Sequence, residues 1–182
     1  HVPLALATQT GGSTIRPASY CGVWALKPTW GLVSREGCKT YAPTLDTLGW
    51  MSRSAADLRL LLDVFDAEAA EAVAAPEPPP DPSRLRIAVC PTPMWARAEP
   101  ATQAAMVRAE QVLREVGAIV EPLELPPPFE TLAALQLTVM RAEGQATLLN
   151  EYRLHGDALE PSLRDQVLNT DRTTRAQLCA AW

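Results

Sequence analysis

The segment Leu4-Ala5-Leu6-Ala7-Thr8-Gln9-Thr10-Gly11-Gly12-Ser13 runs from an apolar strand pattern straight into a Gly-Gly turn that ends on serine. Two glycines let a backbone turn sharply and bring successive N–H groups toward one point. A serine on such a turn has its hydroxyl beside those donors. Acyl transfer uses that pairing, because a serine nucleophile creates a tetrahedral intermediate whose oxyanion needs hydrogen-bond donors. An isolated polar turn has the same three letters, so the surrounding residues decide between the two.

A nucleophile needs a base. The chain has two histidines, His1 at the first position and His155 in a polar helical stretch. Nor is the turn a G-x-S-x-G elbow, because Ile15 stands where that motif requires glycine. A serine–lysine arrangement is the natural substitute for a histidine base. Only Lys27 and Lys39 are present, so the base is one of these or lies outside the chain.

Further blocks follow at definite spacing. They are Ile15-Arg16-Pro17-Ala18-Ser19-Tyr20-Cys21-Gly22-Val23, then Leu26-Lys27-Pro28-Thr29 with Gly31, then Leu45-Asp46-Thr47-Leu48-Gly49 and Arg53-Ser54. Together with Leu4–Ser13 they resemble the amidase signature family. Residues 84–182 resemble its more variable region, more weakly. The resemblance implies an α/β/α layered fold with a mixed sheet, and hydrolysis of amide bonds by a Ser–Ser–Lys triad. It makes Ser13 the acyl-forming nucleophile and the N–H groups of Thr10, Gly11, Gly12 and Ser13 the oxyanion hole. Lys27 matches the LKPT lysine of that family, which is not catalytic. The bridging serine and catalytic lysine precede the TGGS block there, upstream of His1. The resemblance therefore implies a partial amidase domain over 1–182, truncated before His1 and inactive alone. Trp182, inside a helical pattern with no stop signal, is expected to be a truncated C-terminal end. The domain is divided into the second half of the signature (1–66), a Pro-rich connector (76–82) and a variable region (84–182). No metal and no organic cofactor is implied.

The match has departures. Many members have Asp where Gln9 stands, Arg16 lies one residue late, and Trp50 occupies a position where Pro is frequent. Gln9 and Arg16 resemble stand-alone bacterial amidases more than the subunit that supplies ammonia for transamidation on glutamyl-tRNA. Gln9, Arg16, Asp46 and Arg53 are expected to brace the site, the last two as an ion pair or a backbone-bonded carboxylate.

Composition narrows the partners. A net charge of −5 gives no electrostatic footprint for nucleic acid. No apolar run approaches the ~20 residues of a membrane span. The expectation is a cytoplasmic enzyme acting on a small-molecule amide, with no nucleic acid, no membrane and a homodimer left open. Cys21, Cys38, Cys90 and Cys179 lack C-x-x-C pairing and are expected as free buried thiols.

Along the chain, 2–8 reads as a strand, 13–20 as a turn or short helix, and 22–26 as a buried strand stopped by Pro28. Ser54 is an N-cap with Asp57 three residues on, ahead of an apolar face of Leu58, Leu61, Leu62 and Phe65. Pro76 to Pro82 reads as a solvated linker. Leu85 to Cys90 and Ala118 to Leu123 read as strands around a helix over 100–116. That helix is expected to bury Ala104, Val107, Val112 and Val116, with Gly117 as its cap. The unit predicts a parallel crossover. Residues 129–153 and 161–182 read as helices, with Leu132, Leu135, Val139, Met140 and Leu148 as core and His155 at the surface. Two other functions stay open: a protein like the ammonia-supplying amidotransferase subunit of tRNA-dependent transamidation, and a non-catalytic remnant or binding module.

Overall fold

The computed structural model describes residues 2–65 and 81–182. They form two compact units, one of residues 2–65 with Ala133–Trp182 and one of residues 81–132. The fold is mixed α/β, with an antiparallel sheet in the first unit and a parallel pair in the second.

Strand β3 (Thr47–Ser52) is the middle of the first sheet, between β1 (Leu4–Gln9) and β2 (Trp24–Leu26). Both neighbours run antiparallel to it, with Ala7 opposite Gly49 and Leu26 opposite Trp50. A Cβ on Gly49 would lie 2.4 Å from the Leu26 carbonyl oxygen, so β2 reaches its register only because position 49 has no side chain. Five of the six β3 residues are buried, whereas β1 and β2 keep much of their surface open. The sequence expected β2 to be buried, but Trp24 is exposed at this short edge strand.

Trp50 is fully buried and is the centre of the core with Val33, Leu48 and Leu58. Its indole N–H donates to the Leu58 carbonyl at 3.0 Å, which satisfies the one polar atom of the ring. Its ring lies 5.3 Å from that of Phe65. Helix α2 (Ala55–Phe65) begins where the Ser54 hydroxyl accepts from the Asp57 N–H at 3.1 Å. Its Leu58, Leu61, Leu62 and Phe65 face covers this core, as the spacing predicts. Fully burying one such side chain is worth about 1.5–3 kcal/mol. Helix α1 (Ile15–Cys21) ends at Gly22, whose φ of 63° and bonds to the Ala18 and Ser19 carbonyls close the helix.

In the second unit, β4 (Arg86–Val89) and β5 (Ile119–Pro122) pair in parallel on either side of helix α3 (Pro100–Glu115) in sequence. Gly117 follows α3 with a φ of 93°, a backbone conformation that favours glycine. The buried face of α3 differs from expectation. Val107, Val112 and Val116 are exposed, and the half-buried stripe is Met106, Glu110 and Leu113. Four small apolar residues spread over half the helix circumference, whereas Met106, Glu110 and Leu113 share one narrow line at i, i+4 and i+7. Pro76 to Pro80 lie outside the described residues. Asp81 and Pro82 open a 3₁₀ turn in which the Asp81 carboxylate accepts from the Ser83 N–H.

Four helices complete the first unit's C-terminal part: α4 (Leu132–Thr147), α5 (Leu149–His155), α6 (Pro161–Val167) and α7 (Arg175–Ala181). Val139 and Leu148 are buried and Leu135 and Met140 half-buried, whereas Leu132 is exposed. A reciprocal pair of bonds between Thr174 and Gln177 caps α7. The four cysteines are free, but against expectation Cys21, Cys38 and Cys179 are exposed and Cys90 is half-buried. These thiols sit at a helix end, in a turn, after an edge strand and on the terminal helix, where little covers them. Among the described residues no helix is long and apolar enough to cross a membrane.

Candidate active site

Strand β1 delivers Gln9 to the start of the turn and helix α1 begins two residues after Ser13, so the turn is anchored at both ends. The Gln9 side chain makes that anchor. Its carbonyl oxygen accepts from the N–H groups of Thr14 and Ile15, each at 3.0 Å. Gln9 is buried, and its amide replaces the missing intrahelical acceptors at the α1 N-terminus. The Arg16 N–H donates to the Gly12 carbonyl at 2.9 Å, which fixes the turn from its C-terminal side.

Ser13 is exposed at the head of this turn. Among the described residues, the N–H groups of Gly11, Gly12 and Ser13 have no acceptor. The glycines do not serve a left-handed backbone here, since positive φ occurs at Gly22, Gly31, Gly37 and Gly117 instead. An added Cβ would meet only the Gln136 amide nitrogen at 3.7 Å from Gly11 and the Arg16 Cβ at 3.6 Å from Gly12. The bareness of the turn is therefore not demanded by the protein's own packing.

Asp46 holds the other flank. One carboxylate oxygen accepts from the Thr10 hydroxyl at 2.6 Å, and the other from the N–H groups of Tyr41 and Ala42 at 2.6 and 3.0 Å. The buried carboxylate thus has three donors and no ion-pair partner among the described residues. It ties the 41–46 turn to Thr10. A cavity of about 50 Å³ lies beside this contact, lined in part by Thr8, Thr10, Cys38, Tyr41 and Asp46.

Arg16 and Arg53 are exposed, and neither side chain has a partner among the described residues, so the Asp46–Arg53 ion pair does not form. Neither lysine bonds Ser13, although Lys39 also lines the cavity beside Thr10. Lys27 donates to the Pro28 carbonyl at 2.7 Å, and Lys39 pairs with Glu151 at 2.5 Å and donates to the Thr147 carbonyl at 3.0 Å. The Lys39 hydrogen bond holds the Glu151 carboxyl below the usual carboxylate range. His155 is exposed on α5.

Sequence reasoning missed Tyr41 and Thr14. Thr14 is fully buried next to Ser13, and its hydroxyl has no partner among the described residues. Tyr41 donates from its phenol to the Gln166 side-chain oxygen at 2.5 Å, across 125 positions of sequence. No local pattern signals so distant a contact.

The chain can be set against known proteins. The Amidase family model matches residues 1–180. A glutamyl-tRNA(Gln) amidotransferase subunit of Thermus thermophilus is 40% identical over 148 residues, which cover 72% of this chain and 30% of that protein. The solved peptide amidase of Stenotrophomonas maltophilia superposes with a TM-score of 0.62 at 30% identity, over 97% of this chain and 38% of its own. A crystal structure of an amidase superposes with a TM-score of 0.83 at 24% identity, over 98% and 39%, and so shares the fold. The chain spans 30 to 39% of the length of these three proteins. The match of the family model to nearly the whole chain, with the Thr8–Ser13 turn at the head of α1, shows that the chain belongs to the Amidase family.

Proposed function

We propose that this chain carries the nucleophile and oxyanion turn of an amide hydrolase that converts a carboxamide to a carboxylate plus ammonia or an amine. The observation that carries the reading is the turn itself: an exposed Ser13 beside three backbone N–H groups without acceptors among the described residues. In this reading the Ser13 oxygen attacks the amide carbon. Its proton passes through a bridging serine to a lysine, both contributed by chain upstream of His1. The engagement of Lys27 and Lys39 elsewhere supports a base from outside the described residues. The N–H groups of Thr10, Gly11, Gly12 and Ser13 stabilise the oxyanion. The C–N bond breaks, the amine leaves with the proton, and water hydrolyses the ester on Ser13 to release the acid. Gln9 and Asp46 brace the turn through the bonds described above. The substrate is a small amide handled in the cytoplasm without metal or organic cofactor.

The test is acyl trapping in a full-length protein that carries this chain. A slowly hydrolysed amide or ester is expected to leave its acyl group on Ser13, located by peptide mass mapping. Ser13→Ala is expected to lower the rate at least ~10³-fold with the fold unchanged. An Ala variant with near-normal turnover would overturn the assignment.

The 40% identity with the Thermus thermophilus amidotransferase protein favours one second reading. There the same turn releases ammonia for transfer to a tRNA-bound acyl group. Co-purification with partner proteins, and hydrolysis that rises when they are added, distinguishes that role from a stand-alone amidase. A non-catalytic module is the outcome if the upstream sequence lacks the lysine.

A further inference from the structure

Helix α4 grips the turn that carries Asp46. The Glu143 carboxylate accepts from the Thr44 N–H at 3.0 Å and from the Thr44 hydroxyl at 2.5 Å. Gly144, the next residue, is buried so close to the loop that a Cβ would lie 2.8 Å from the Tyr41 ring and clash with the Gln166 amide. One helical turn on from Glu143, the Thr147 hydroxyl donates to the Tyr41 carbonyl at 2.6 Å. Glu143 and Thr147, on one face of α4, thus bond the loop at Thr44 and Tyr41, and the bare Gly144 lets the helix come this close. Within the loop, the N–H groups of Leu45 and Asp46 both donate to the Ala42 carbonyl at 3.0 and 2.8 Å, so the grip on Thr44 is a grip on Asp46. Asp46 in turn holds the Thr10 hydroxyl, on the first residue of the oxyanion turn.

We propose that Glu143 is a positioning residue for the amide-hydrolysing reaction: through Thr44 and Asp46 it sets the placement of the Thr10–Ser13 donors. The inference rests on the assignment of Ser13 as nucleophile. Its physical basis is that oxyanion donors act by preorganisation, so a shift of a fraction of an ångström weakens the bond formed in the transition state more than any bond to bound substrate. Glu143 touches neither the turn nor Ser13 in the contacts described, so its influence passes through the loop. A residue with only a fold-holding role lowers the folded fraction and leaves the turnover of each remaining active site unchanged. A positioning residue lowers turnover per active site.

The experiment uses the full-length protein with wild type, Glu143→Ala, Glu143→Gln and Ser13→Ala. Active sites are counted by stoichiometric acylation of Ser13, and kcat is expressed per titrated site. Glu143→Ala is expected to lower kcat per site about 5- to 30-fold with KM changed less than threefold. Glu143→Gln keeps one acceptor for Thr44 and is expected to recover a substantial part of that loss. Thr44→Val, which removes the hydroxyl partner, is expected to lower kcat in the same direction. Wild-type kcat per site in Glu143→Ala overturns the inference, as does a loss confined to the number of active sites. If Ser13→Ala itself retains turnover, the nucleophile assignment fails, which separates that failure from the failure of the positioning role.

Discussion

Gly11 and Gly12 have room for a side chain in the structure and carry none. The nearest atoms to an added Cβ are 3.7 and 3.6 Å away, which is ordinary contact. Neither residue adopts the left-handed backbone that makes glycine obligatory. On the proposed reading the space in front of the turn serves catalysis, since a substrate carbonyl would approach the N–H groups there. Gly12→Val in the full-length protein is expected to change the thermal midpoint by only a few degrees and to lower kcat/KM at least ~100-fold. Melting curves and steady-state kinetics on one preparation check both halves. Gly49 is the opposite case, where the Leu26 carbonyl at 2.4 Å leaves no space. Trp50 illustrates a third relation between residue and fold. Its indole fills the core that a proline at the same place would leave open, and its N–H has a backbone acceptor in α2.

At the scale of elements, spacing located α2 and α3 well. It read 129–153 and 161–182 as unbroken helices where the chain breaks at Leu148 and over 168–174, and it placed buried faces less well. Helix α2 buries the stripe that its leucines mark, because a strongly apolar i, i+3, i+4, i+7 set leaves one choice. Helix α3 had valines and alanines spread around it, and its half-buried line runs through Met106 and Leu113. Val107→Gln is expected to shift stability by no more than about 0.5 kcal/mol, and Leu113→Ala to cost more than about 1 kcal/mol. Denaturant unfolding of both variants reads the difference. Electrostatics ties the turn around Lys39 to α5. The Lys39 hydrogen bond lowers the Glu151 pKa in the folded state, so the pair's stabilisation is complete above the unfolded glutamate value of about 4.3. It is lost as pH falls through the lowered folded value. Wild type is therefore expected to exceed Glu151→Gln in stability at pH 6, with the difference vanishing toward pH 3. Urea titrations across that range measure it, and added salt is expected to shrink it because Lys39 is exposed.

For the whole molecule, the two relevant facts are its share of its relatives and its bare apolar surface. The chain spans 30% of the Thermus thermophilus protein and 38% of the peptide amidase. Leu6 on β1, Trp24 on β2 and Trp182 after α7 are 60, 57 and 71% exposed. Edge strands with exposed apolar side chains are sites of association. The 182-residue chain expressed alone is expected to elute as aggregate or oligomer and to show no Ser13-dependent amide turnover. Size-exclusion chromatography and an ammonia-release assay test this. A monodisperse monomer that turns over amides through Ser13 would contradict the proposed division of the triad.

The sequence by itself determined the local pieces: β1 leading into the Gly-Gly-Ser turn, the Ser54 cap of α2, the parallel strand–helix–strand unit, and the family through the spacing of its blocks. The turn, the cap and each strand or helix depend on residues within a few turns of chain, where periodicity, caps and breakers act. The parallel pairing follows from the handedness rule for a strand–helix–strand unit. It also singled out Gln9, Arg16, Asp46 and Arg53 without supplying partners, and among the described residues the side chains of Arg16 and Arg53 have none. Only the tertiary structure decided the partners. It bonded Gln9 to the head of α1, gave Asp46 three donors in place of Arg53, and brought Glu143 to Thr44 and Tyr41 to Gln166. The last two pairings join positions 99 and 125 residues apart, and long-range contact is set by how helices and strands pack rather than by any pattern along the chain. The burial of α3 and the exposure of three cysteines followed from the same cause, since a residue's environment is settled by what covers it.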